Sequence, residues 1–92
     1  MSDNYSYPLM DSWSQSEIIS VITFFQSVEE AYEKKDGVNR QQFMDLYRQY
    51  TQIVPSKMEQ KQLEREFKKS SSYDTYQVFK KAKETKNSRV VM

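Results

Sequence analysis

The stretch Trp13-Ser14-Gln15-Ser16-Glu17-Ile18 reads as a helix start. Ser14 sits where its hydroxyl can accept the backbone N–H of Glu17, and the Glu17 carboxylate can reach back to the N–H of Ser14, the reciprocal pairing of a capping box. Trp13, just before the cap, is spaced to staple onto Ile18 at the fourth helical position. The same punctuation recurs at Asn39…Gln42, Ser56…Glu59 and Asp74…Gln77, and two of these carry a staple as well, Val38 with Phe43 and Tyr73 with Val78. Each pair finds partners for backbone N–H groups that a helix start leaves orphaned. Four such signals predict four helices.

The spacing between the caps agrees. A first helix over about 15–35 places Ile18, Val21, Ile22, Phe25, Val28 and Tyr32 at three- and four-residue steps, with Phe24 and Ala31 widening the buried arc. Lys34 and Lys35 suit the negative end of its dipole, and Gly37 is a natural left-handed terminator. A second helix over about 40–53 turns Phe43, Leu46, Tyr47, Tyr50 and Ile53 inward and stops before Pro55. A third, about 57–69, is mostly polar and anchors through Leu63 and Phe67; a fourth, about 75–86, anchors through Val78, Phe79 and Ala82. Short loops favour antiparallel neighbours. The fold expected is all-α: a single small bundle over 14–86, an extended aromatic N-terminal arm over 1–13 packed on it, and a flexible tail over 87–92.

Composition bounds the chemistry. With 92 residues the chain makes one domain, burying roughly 60–65% of its unfolded surface. It has no cysteine and no histidine. Thiolate nucleophiles, Cys/His zinc sites and His-based triads are thereby excluded. A single glycine leaves no Gly-rich phosphate loop. The polar, acidic N-terminus shows no secretory signal, and the apolar run 18–25 is too short to span a bilayer, so a cytoplasmic, non-membrane protein is expected. No enzyme activity, metal or cofactor is expected.

Charge is distributed unevenly although the net value is +1. Residues 1–33 hold six acidic side chains and no basic one; residues 34–92 hold all 14 basic side chains. Attraction between the two sets within one fold accounts for this, and so does a surface for an acidic partner. Glu29, Glu30, Glu33 and Asp36 form the acidic cluster best spaced for a hard cation. Four-helix di-metal sites also need inward histidine, so a solvated face is expected instead. Lys68, Lys69, Lys80, Lys81, Lys83, Lys86 and Arg89 interleave with Tyr73, Tyr76 and Phe79. Cations and aromatic faces together can hold single-stranded nucleic acid, and Lys68, Lys69, Lys80, Lys83 and Lys86 are the candidate face. Positive charge at a helix C-terminus is stabilising without any ligand, which is the competing role.

Tyr5, Tyr7 and Trp13 are candidates for docking a protein partner, since Tyr and Trp are common interface anchors. The same side chains can instead cover one end of the bundle. Ile19 lies outside the main apolar arc, and Val90-Val91-Met92 has no evident place in a four-helix core, so a homodimer is a further expectation.

The runs Asn4-Tyr5-Ser6-Tyr7-Pro8, Trp13-Ser14, Val28-Glu29-Glu30-Ala31-Tyr32-Glu33-Lys34, Ile53-Val54-Pro55 and Ser72-Tyr73…Tyr76-Gln77 resemble the YktA-like family, short uncharacterised proteins of Bacillus-type Gram-positive bacteria. The resemblance covers nearly the whole chain. It implies a small helical cytoplasmic protein and implies no activity, catalytic residue or cofactor. The function expected is that of a small interaction or accessory protein with a protein partner; the alternative is a nucleic-acid- or ribosome-associated protein using the basic C-terminal half.

Overall fold

The computed structural model describes residues 7–92. Four helices and two very short strands follow in the order α1 (Gln15–Glu33), β1 (Val38–Asn39), α2 (Arg40–Ile53), α3 (Lys57–Ser71), α4 (Thr75–Glu84) and β2 (Arg89–Val90). All four expected caps are made. Ser14 Oγ accepts from the Glu17 N–H at 3.2 Å while Glu17 Oε1 accepts from the Ser14 N–H at 2.8 Å, closing a full capping box. Asn39, Ser56 and Asp74 each accept the backbone N–H three residues on.

The ends of the helices shift. α1 stops at Glu33, two residues early, because Lys34 is extended rather than helical. Gly37 is not its terminator. It has a φ of 67° in the turn after the helix, where its N–H donates to the Lys34 carbonyl at 2.9 Å. α3 instead runs on to Ser71 and ends on a left-handed Ser72, with a φ of 73°.

The core is aromatic. Phe24 and Phe25 of α1 are fully buried. Phe24 stacks on Tyr50 of α2 at 4.5 Å between ring centres, and Phe25 meets Phe67 of α3 at 4.6 Å. Val21, Val28 and Ala31 complete the buried face of α1, leaving Ile18 and Ile22 half-buried. The stripe is thus shifted away from Ile18 and Ile22 towards Phe24 and Ala31. Phe43 of α2, which meets Phe24 at 5.5 Å between ring centres, and Val78 and Ala82 of α4 are buried as well.

The C-terminal segment corrects the expectation of a flexible tail over 87–92. β2 pairs antiparallel with β1, Val38 opposite Val90 and Asn39 opposite Arg89. Val90 is buried, and the Met92 N–H donates to the Ala31 carbonyl at 2.8 Å. Arg89 adds bonds from Nε to the Asp36 carbonyl at 3.1 Å and from Nη2 to the Gly37 carbonyl at 3.2 Å. The segment is ordered because it satisfies backbone groups and fills a core position. Val90 is therefore not left over for a dimer contact, whereas Ile19, Val91 and Met92 stay exposed.

Residues 7–13 lie against the helices. Pro8 is buried, the Tyr7 ring stacks on Phe67 at 6.1 Å, and its hydroxyl donates to Glu29 Oε2 at 2.6 Å. Trp13 is half-buried against the core. Tyr5 and the rest of residues 1–6 lie outside the described residues. Among the described residues no helix is long and apolar enough to cross a membrane.

Candidate functional site

α3 is polar along most of its length, so it touches the core with a narrow stripe. Leu63 and Phe67 lie on that stripe, and Gln60 is buried beside it. The Gln60 side-chain amide is satisfied by the Val54 carbonyl at 2.7 Å, which locks the start of α3 onto the end of α2. One turn further on, Glu64 comes to the edge of the core, and the hydroxyl of the fully buried Tyr50 donates to its Oε2 at 3.0 Å.

α4 approaches the same edge with its first turns. Thr75, Tyr76 and Phe79 face α3, while Tyr47 of α2 stacks on Phe79 at 4.1 Å between ring centres. The helices do not close completely here. They leave a cleft of about 160 Å³ lined by Tyr47, Gln60, Glu64, Thr75, Tyr76 and Phe79, with Lys57 and Lys61 also bordering it.

Four features distinguish this cleft. Thr75 is almost wholly buried, and its Oγ1 finds no hydrogen-bond partner among the described residues. Buried polar atoms are nearly always paired, so this covered oxygen is an exception in the interior beside the cleft. Glu64 is pushed above the ordinary carboxylate range, chiefly by burial and against the stabilising bond from Tyr50. Tyr47 is pushed up by burial and then by the nearby Glu64 charge. Tyr76 leaves 58% of its surface exposed beside the opening.

Of the residues singled out from sequence, Tyr76 and Phe79 line this cleft and the others fall elsewhere. Tyr7 and Trp13 are part of the packing of the arm, as described above. Lys68 pairs with Asp74 at 3.3 Å, and Lys69 lines a shallow surface groove on α3 with Arg65 and Glu66. Lys83 lies over the Phe79 ring at 5.4 Å, and Lys80 and Lys86 are exposed. None of the cavities described is lined by lysines of both α3 and the C-terminal part of α4. Tyr73, expected among that basic set, stacks on Tyr32 at 4.6 Å and donates its hydroxyl to Glu33 at 2.6 Å. The acidic cluster is likewise divided among partners: Glu29 takes Tyr7, Glu33 takes Tyr73, and Glu30 pairs with Lys34 at 3.5 Å.

Glu64, Thr75 and Tyr50 were not singled out from sequence as site residues. Thr75 follows directly on the Asp74 cap, and Glu64 follows Leu63 at the edge of the α3 stripe. Those positions show which side each residue faces, but not that α2, α3 and α4 stop short of one another.

Comparison with known proteins gives the lineage. Residues 4–91 match the model of an uncharacterised protein family, UPF0223. The chain is 47% identical over 89 residues to a UPF0223 protein of Oceanobacillus iheyensis, covering 97% of this chain and 99% of that protein. It is 52% identical over 84 residues to one of Streptococcus uberis, covering 91% and 89%. A third, from Bacillus cytotoxicus, is 42% identical over 87 residues, covering 95% and 96%. On both grounds the chain belongs to the UPF0223 family of uncharacterised proteins, whose function is unknown.

Proposed function

We propose that the protein is a non-enzymatic interaction protein of the cytoplasm, which seats one anchor side chain of a partner protein in the cleft between α2, α3 and α4. The observation that carries this reading is an exposed Tyr76 standing beside a ring-sized hollow bordered by two lysines. Interface energy concentrates in a few aromatic or arginine anchors seated in desolvated pockets. A hollow of about 160 Å³ is too small for a drug-sized ligand, which needs roughly 300 Å³ or more, and suits a single side chain. Lys57 and Lys61 favour a partner segment carrying carboxylates next to its anchor. The chain offers no cysteine or histidine for nucleophilic or proton-transfer chemistry at neutral pH.

Photo-crosslinking in the host tests the reading. A crosslinking residue replaces Tyr76 in one strain and the exposed Gln49 of α2 in another. The expected result is a discrete protein adduct from position 76, mapping to a segment rich in Asp and Glu around an aromatic residue, and weakened by Lys61→Glu. No discrete adduct at 76, a nucleic-acid adduct, or the same adducts from position 49 would overturn it.

A further inference from the structure

The outward face of α3 carries charge that the fold does not use. Lys61, Arg65 and Lys69 recur every four residues, which sets them in one row with a rise of about 6 Å per step. All three are exposed, and they line one surface groove with Met58, Gln62 and Glu66. Among the described residues none of the three enters an ion pair, whereas Lys68 of the same helix is held by Asp74. Glu66 lies about 60° beyond Lys69 round the helix, so it borders the row without interrupting it. Met58, at one end of the row, leaves 78% of its surface in water, the most exposed large apolar side chain among the described residues.

The chain's own acidic helix does not answer this row. Glu29 and Glu33 hold tyrosine hydroxyls, and Glu30 pairs with Lys34. Single-stranded nucleic acid is disfavoured as well. It needs aromatic faces for its bases, and the groove is lined by none.

We propose that this row docks an acidic amphipathic helix of a partner protein, its carboxylates at every fourth residue facing Lys61, Arg65 and Lys69 and an apolar side chain against Met58. A helix laid along α3 repeats its side chains at the same rise of about 6 Å, so three pairs form in register. Complementary charge sets orientation and excludes wrong partners, and the flexible, polarizable Met58 adapts to an apolar neighbour. The surface shares only Lys61 with the cleft between α2, α3 and α4, and it does not depend on what that cleft holds.

Titration of the full chain with three probes, read by amide chemical shifts, tests this. The first is a peptide of about 15 residues, long enough to hold a helix, with Glu at every fourth position and Leu beside each. The second has the same composition with its glutamates in one consecutive run. The third is a single-stranded RNA of similar length. The first is expected to shift the amides of Met58, Lys61, Gln62, Arg65 and Lys69, to bind about five-fold tighter than the second, and to weaken as salt rises. The RNA is expected to leave those amides in place. Arg65→Glu should weaken the first peptide about five-fold or more, since one exposed pair is lost and one repulsion gained. Lys86→Glu, the same charge change at another exposed position, should leave it nearly unchanged. Equal binding of the two peptides, tighter binding of the RNA, equal effects of the two variants, or no shift along α3 overturns the proposal. Shifts at these amides on raising the protein concentration alone also overturn it, since the occupant would then be a second copy of this chain.

Discussion

Gly37 and Val90 meet more closely than any residue with a side chain would allow: a Cβ placed on Gly37 would sit 1.9 Å from the Val90 carbonyl oxygen. The glycine also holds a φ of 67°, which costs other residues about 1–2 kcal/mol. Gly37→Ala must therefore strain the turn and push β2 off β1 together. We expect it to destabilise the fold by about 2–4 kcal/mol, a fall in Tm of roughly 10–25 °C for a domain of this size. Thermal unfolding followed by circular dichroism measures it, and an unchanged Tm would mean that β2 is not held there.

Phe25 is fully buried and touches Phe24, Tyr50 and Phe67 with its ring. Phe25→Ala should cost about 3–5 kcal/mol, the range for a buried aromatic truncated to alanine. Against a typical stability of 5–15 kcal/mol this leaves a marginal fold. Urea denaturation of the purified variant gives the value; a loss below about 1 kcal/mol would contradict the packing described.

The arm is held by a ring and a hydroxyl whose contributions separate. Tyr7→Phe removes only the bond to Glu29 and should cost about 0.5–1.5 kcal/mol. Tyr7→Ala also removes the stacking on Phe67 and should cost about twice that or more. Equal losses for the two variants would show that the ring contributes nothing.

Glu64 makes stability depend on pH in a defined direction. Burial raises its carboxyl above the ordinary value of 4.5, so the folded state binds the proton more tightly than the unfolded chain. The stability this contributes is fully present below that ordinary value and is lost as pH rises through the raised one. Glu64→Gln keeps an acceptor for the Tyr50 hydroxyl and carries no charge. At pH 7 it should melt above the parent protein, and near pH 4 the two should converge. A gap of the same size at both pH values would show that Glu64 does not titrate differently in the folded state.

The helices were legible because their starts are written locally. Ser14, Asn39, Ser56 and Asp74 act within three residues of themselves, and such short-range pairing survives any tertiary arrangement. Arg89-Val90 was not legible, since two residues carry no period and their pairing partner lies in another part of the chain. Gly37 was read as a helix terminator for the same reason: its left-handed conformation was foreseen, but the neighbour that demands it was not. The lysines and tyrosines looked like a site because their types suggest one. Tyr73 and Lys68 turned out to be occupied by Glu33 and Asp74. The cleft arises from three helices failing to meet, and a Thr75 without a partner has no signature in one dimension.

The β1–β2 pair also sets the order in which the molecule comes together and falls apart. Gly37 and Arg89 stand 52 residues apart in the chain, with α2, α3 and α4 between them. Closing so long a loop is entropically costly until those helices have docked, so the clasp should form after the rate-limiting step of folding. A contact made that late leaves the folding rate nearly untouched and governs the unfolding rate. Val90→Ala should then steepen nothing on the refolding side of a chevron plot, yet raise the rate of unfolding in proportion to the stability it removes. The two short strands thus act as a kinetic latch on a helical bundle that assembles without them.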